Sequence, residues 1–257
     1  MEKKVVSFEK KVERLLELLE ANDIPTSLRE KLILFRALVN EREALAVSDE
    51  FLALEKEVLV EWRKNNKVMK FSETEETSYD NIKLWQGDIT LLEVDAIVNA
   101  ANSKMLGCFI PNHHCIDNQI HTFAGVSLRL ACAELKKQNG DRDLAVGKAV
   151  ITPAFNLPAN YVIHTVGPKI LRQPPSKMMQ NLLEKSYISC LELAEQNNIK
   201  TLALCSISTG EFSFPKELAS EIATKTVKNY LNTTKSKLQV VFVTYSNEDY
   251  NLYKKLL

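Results

Sequence analysis

From Asn81 onward, short apolar runs alternate with amphipathic stretches of helical period, and this alternation constrains the fold more than any other feature. The runs over 82–86, 96–99, 149–152, 162–165, 201–205 and 240–244 are mostly apolar and too short for buried helices, so they predict strands. Between them, 117–138, 177–196, 215–231 and 247–256 place apolar residues three to four apart and predict helices. Strands and helices in alternation define an α/β chain.

The start of the chain follows a different pattern. Phe8, Val12, Leu15, Leu16 and Leu19 recur at helical spacing until Pro25 breaks the run. Ser27-Leu28-Arg29-Glu30 has the capping-box form and opens a second helix with Leu28, Leu32, Phe35 and Val39 on one face. Ser48 or Asp49 caps a third, bearing Phe51, Leu54, Val58 and Trp62. Residues 65–80 are polar and unpatterned and read as a linker. The expected division is a helical extension over 1–70 and an α/β domain over 71–257.

Charge removes several function classes. Lys+Arg and Asp+Glu balance at 33 each, so neither a nucleic-acid groove nor a membrane-binding face is expected. Met1-Glu2-Lys3-Lys4 is charged and leads into an amphipathic helix rather than an apolar leader or span. Five cysteines without an export signal fit a reducing compartment, so a cytoplasmic monomer is the expectation.

Chemistry is concentrated over 98–125, which holds three of the four histidines and two of the five cysteines. A predicted strand delivers this loop and a predicted helix leaves it, a common place for sites in α/β proteins. Cys108, His113 and Cys115 offer two thiols and an imidazole, a set that suits zinc. His114 and His121 are the other imidazoles at hand; a packed loop with inert thiols is the alternative to any metal. Asp117 reads as an N-cap and as a carboxylate able to take a proton. His121 lies on the same helical face and can orient it, or simply pack. The Asn102 amide both donates and accepts, Asn99 reads as a backbone clamp, and His164 as a core histidine. Downstream, Ser206, Ser208, Thr209 and Gly210 form a small-residue loop whose N–H groups suit a diphosphate, or a plain strand-to-helix turn.

Several of these segments together resemble a known family. Gly87-Asp88-Ile89-Thr90 and Asp95-Ala96-Ile97-Val98-Asn99-Ala100-Ala101-Asn102-Ser103 resemble the first ligand-binding region of macrodomains, the ADP-ribose-binding α/β modules. Ile163-His164-Thr165-Val166-Gly167-Pro168 resembles their central strand, and Ser206-Ile207-Ser208-Thr209-Gly210-Glu211-Phe212 their second phosphate loop. Where the common pattern has a Gly-rich stretch ending in Val-Asp-Gly, this chain carries Cys108-x4-His113-x-Cys115 followed by Asp117 and Asn118. With the helical extension, that replacement resembles the zinc-containing macrodomains.

The resemblance implies a three-layer α/β/α fold with a mixed central sheet. It also implies a hydrolase that removes mono-ADP-ribose from protein side chains, here expected at a carboxylate ester. One zinc ion (Zn2+) falls on Cys108, His113 and Cys115, which selects His113 over His114. Asp88 and Ile89 fall on the adenine side, with Tyr245 stacking on the base. Ser206, Ser208, Thr209, Gly210, Glu211 and Phe212 fall at the diphosphate, although Glu211 alone reads as solvated. Asn102, Asp117 and Asn118 fall at the distal ribose as catalytic candidates. Bacterial members of this branch are associated with a class M sirtuin that modifies a lipoyl-carrier protein, which is the implied partner. Two rivals share these motifs: a non-catalytic reader, and a hydrolase of small derivatives such as O-acetyl-ADP-ribose.

Overall fold

The structure, a computed structural model, describes residues 6–257; the charged start at residues 1–5, read above as carrying no leader, lies outside them. Three helices come first, α1 (Phe8–Leu18), α2 (Leu28–Glu41) and α3 (Asp49–Arg63). Each is opened by a serine, Ser7, Ser27 or Ser48, whose hydroxyl accepts a first-turn N–H. Their apolar faces meet on Val12, Leu15, Leu16, Phe35, Phe51, Val58 and Leu59. Trp62 then joins this cluster to the rest of the molecule, edge-on to Phe123 with ring centroids 5.4 Å apart.

The stretch read as a linker is partly ordered into strands. β1 (Met69–Lys70) pairs with β4 (Leu92–Glu93), and β2 (Glu75–Glu76) lies antiparallel on β3 (Ile82–Gln86). An edge strand faces water along one side, so charged residues such as Glu75 and Glu76 are compatible with it and hide it from a periodicity search.

The remaining strands are β5 (Ala96–Ala100), β6 (Ala149–Pro153), β7 (Tyr161–Thr165), β8 (Thr201–Cys205) and β9 (Gln239–Thr244). They complete a seven-stranded sheet in the order β2-β3-β9-β8-β5-β7-β6. The interior pairs are parallel and both edge strands antiparallel, so the sheet is mixed. Ile97, Val98, Val162, Leu202, Leu204, Val241 and Phe242 are fully buried, as central strands covered on both faces require. Flanking helices are α4 (Ile116–Ala124), α5 (Val126–Gln138), α6 (Lys177–Gln196), α7 (Lys216–Thr234) and α8 (Asn247–Leu256).

The single helix expected over 117–138 is two. Gly125 separates α4 from α5 with φ +90, and a Cβ there would sit 2.5 Å from Glu55 Oε2. That carboxylate, sent in from α3, accepts the Val126 N–H at 3.1 Å and 3.3 Å and caps α5. Among the described residues, no helix is long and apolar enough to cross a membrane.

Candidate active site

The carboxyl ends of β3, β5, β8 and β9 open into one cleft of about 850 Å³, the position where open α/β sheets bind ligands. Its wall carries Asp88 and Ile89 after β3, Asn102 after β5, and Tyr245 after β9. Ser206, Ser208, Thr209, Gly210, Glu211 and Phe212 follow β8 on the same wall, which Cys108, His113, Cys115 and Asp117 complete. Asn118 is fully buried and stands behind this wall.

Asp88 caps the turn that follows β3, its Oδ1 accepting Thr90 N at 2.9 Å and Thr90 Oγ1 at 2.7 Å. Tyr245 stands at the mouth, 83% exposed, an unusual state for an aromatic ring with nothing to stack on. Between them runs the loop after β8. It is braced from within: Phe214 N donates to the Ser208 carbonyl at 3.0 Å and Ser213 N to the Gly210 carbonyl at 2.9 Å. Among the described residues, no protein acceptor takes the N–H groups of Ser208, Thr209, Gly210, Glu211 or Phe212. Such a row of uncommitted backbone donors on a concave wall is chemically suited to an anion. Gly167 makes room for this row, because a Cβ there would lie 2.0 Å from Ser208 Oγ.

Asp117 sits in the first turn of α4, and the N-cap is Cys115, whose sulfur accepts Asn118 N at 3.4 Å. The Asp117 carboxyl, on a residue 4% exposed, is held by two amides. Asn99 Nδ2 donates to Oδ1 at 2.7 Å and Asn102 Nδ2 to Oδ2 at 3.1 Å. Burial pushes this carboxyl up to about 6, while Asn99, Arg129 and Asn102 pull it down. A proton affinity nearer neutrality makes it a more effective general base than a solvated carboxylate.

His121 does not orient Asp117 by a hydrogen bond. Its Nε2 is 3.6 Å from Oδ1, too long for one, and burial holds the ring's pKa well below its usual range. Asn99 does the orienting, a role beyond the backbone clamp read from sequence. The signal available was an amide inside an apolar strand, which needs a buried partner. Asn99 Nδ2 also reaches His164 Nδ1 at 3.2 Å, and His164 Nε2 lies 2.9 Å from Thr152 Oγ1. Burial brings His164 down to about 4, so it is a neutral, satisfied core histidine.

Cys108 Sγ and His113 Nδ1 are 3.5 Å apart, and with Cys115 their ligand atoms all lie within 4.8 Å of one another. His114 is on the cleft wall but outside that cluster. Two sulfurs and an imidazole fit zinc in kind. Burial pushes the Cys115 thiol up to about 12. His121, Cys132 and His164 form a second close group, but both nitrogens of His164 are already engaged. Across the cleft, Glu211 Oε1 comes within 3.6 Å of His113 Nε2, near but not hydrogen-bonded.

Comparison with known proteins agrees with this architecture. Residues 98–223 match the model of the Macro domain family. A Staphylococcus aureus relative described as a protein-ADP-ribose hydrolase is 52% identical over 237 residues, covering 91% of this chain and 88% of its own. A Treponema medium relative of the same description is 45% identical over 237 residues, covering 91% of this chain and 90% of its own. The solved Trypanosoma brucei macrodomain in complex with ADP-ribose superposes with a TM-score of 0.65 at 27% identity, covering 90% of this chain and 96% of that one. The mixed sheet, its helices and the cleft at its strand ends are those of a macrodomain. The chain belongs to the Macro domain family.

Proposed function

We propose that this protein is a hydrolase that removes mono-ADP-ribose from modified protein side chains. The observation that carries the reading is the buried Asp117 carboxyl, fixed by two amides in the same cleft as the uncommitted N–H row after β8. The loop serves a reader equally well; a buried, oriented carboxyl with raised proton affinity serves a reaction.

On this reading adenine lies between Asp88, Ile89 and the Tyr245 ring, and the diphosphate on the N–H groups of Ser208 to Phe212. The distal ribose then ends at Asn102 and Asp117. Anchoring the far end of the ligand holds the reacting end in place and so lowers the barrier. Asp117 takes a proton from the attacking water as its oxygen bonds to C1″ of the distal ribose. The bond from C1″ to the side-chain oxygen breaks, and with an ester linkage the protein carboxylate departs with the electron pair. Cys108, His113 and Cys115 would hold a zinc ion. When bound there, zinc supplies Lewis-acid charge beside the distal end of the cleft. Asn118, behind the wall, donates to the Ile110 and Cys108 carbonyls at 2.9 Å and 3.3 Å and so shapes the ligand loop rather than touching the substrate.

The likeness to zinc-containing macrodomains points to a lipoyl-carrier protein modified by a class M sirtuin as the substrate. Release of free ADP-ribose from a mono-ADP-ribosylated protein tests the reading. Tight binding without release identifies a reader, and preference for O-acetyl-ADP-ribose in competition identifies a small-ester hydrolase.

A further inference from the structure

We infer that α2 is a working part of the site, with Arg36 and Asn40 as positioning residues that hold the loop over 108–115 in the geometry its ligands need. The inference rests on the hydrolase reading above. Arg36 Nη2 donates to the His113 carbonyl at 2.6 Å and to Asn118 Oδ1 at 2.9 Å. Asn118 passes the hold on through its own amide to the carbonyls of Ile110 and Cys108. One guanidinium thus ties the backbone at two of the three ligand residues.

Asn40 follows Arg36 by four positions and so lies on the same side of α2. Its Oδ1 accepts Asn112 N at 3.0 Å, and its Nδ2 donates to Thr122 Oγ1 at 2.9 Å. The residue before His113 is thereby fastened to both α2 and α4. The loop has little to hold itself: His113 N to the Ile110 carbonyl at 3.2 Å is its internal backbone bond. An irregular loop left free would lose conformational entropy on each ligation, and a clamp made in advance removes that loss. The division of labour along α2 supports this assignment. Phe35 and Val39 fill the helical core, while the next residue after each reaches the loop.

The test uses the full chain in four variants. Arg36→Met keeps the apolar stem and removes the donors; Arg36→Lys keeps a cationic donor. Asn40→Leu removes both bonds; Asn40→Asp keeps the acceptor for Asn112 N. Zinc retention against a chelator, kcat, KM, ADP-ribose affinity and melting temperature are read on each. Supports of metal ligands typically contribute about 10-fold to 100-fold in affinity or activity, and losses of that size in zinc retention and kcat are expected for Arg36→Met and Asn40→Leu. ADP-ribose affinity should hold, and Arg36→Lys and Asn40→Asp should recover part of each loss. Wild-type zinc retention and kcat in Arg36→Met overturn this inference alone, as does a fall in kcat matched by equal losses of ADP-ribose affinity and melting temperature. A wild-type chain with neither zinc nor turnover overturns the hydrolase reading and this inference with it.

Discussion

Asn99 Nδ2 lies 2.7 Å from Asp117 Oδ1 and 3.2 Å from His164 Nδ1, so one amide couples the carboxyl of α4 to the centre of the sheet. The register of β5 on β7 sets Asn99 opposite His164. One of the two amides that hold the carboxyl is therefore placed by strand pairing, which is rigid, while the other, Asn102, comes from the loop after β5. Replacing Asn99 with Leu keeps the volume and removes the donor. Asp117 then loses a hydrogen bond to a charged group, worth about 1.5–3 kcal/mol, and to the extent that this hold acts in the transition state kcat should fall about tenfold or more. Single-turnover rates and calorimetry on Asn99→Leu check this. Unchanged turnover would show that Asn102 alone suffices.

The metal makes a separate prediction. Purified protein should carry about one zinc per chain, since a Cys2His set of this kind favours it. Native mass spectrometry counts it. If the ion acts on the reaction, Cys108→Ala should lower kcat while ADP-ribose affinity holds, because the adenine and diphosphate contacts lie elsewhere. If it only shapes the loop, Cys108→Ala and His113→Ala should lose rate, affinity and melting temperature together.

Gly167 offers a test of the proposed anion loop that removes no ligand contact. A methyl at this position meets Ser208 Oγ at 2.0 Å and Ile207 Cγ2 at 2.6 Å, so these side chains at the start of the loop must move. Overpacking of this kind typically costs about 1–3 kcal/mol, and with that cost falling on the binding geometry of the loop, ADP-ribose binding to Gly167→Ala should weaken by about fivefold or more. Calorimetry reads it, and wild-type affinity would mean that the loop geometry is not what holds the diphosphate.

Glu55 gives the fold a pH dependence of known sign. Burial raises its carboxyl from 4.5 to about 7, against the opposing pull of the Val126 N–H and the Arg42 charge. Between those values the folded chain keeps a proton that the unfolded chain has lost. Its stabilising contribution is therefore complete below 4.5 and lost as pH rises through 7. Glu55→Gln is neutral throughout. The melting temperature of the wild type, taken relative to this variant, should fall between pH 4.5 and 7. Parallel curves would contradict a raised Glu55.

Much of this molecule is written locally. β3 and β8 occupy the predicted 82–86 and 201–205 because a short apolar run bounded by polar residues has few other solutions. The loops after those strands, with Asp88 and Ser206 to Gly210, share the cleft for the same reason: parallel strands bring their carboxyl ends to one side. What escaped a reading of the sequence depends on partners far along the chain. Gly125 breaks a continuous helical pattern because Glu55 occupies the space a side chain would need. Arg36 meets His113 and Asn118 across 77 and 82 positions, and no spacing rule reaches that far. Asn99 stood in plain sight, yet its bond to Asp117 exists only once α4 is packed on β5.

The most direct test of the central claim compares wild type with Asp117→Ala on one mono-ADP-ribosylated protein, following free ADP-ribose and bound substrate in the same samples. General-base removal typically lowers a rate about 10²-fold to 10⁴-fold. The wild type should release ADP-ribose, and Asp117→Ala should bind the substrate with near-normal affinity while releasing it slower by such a factor. Release by Asp117→Ala at the wild-type rate, or binding by the wild type without any release, would contradict the account.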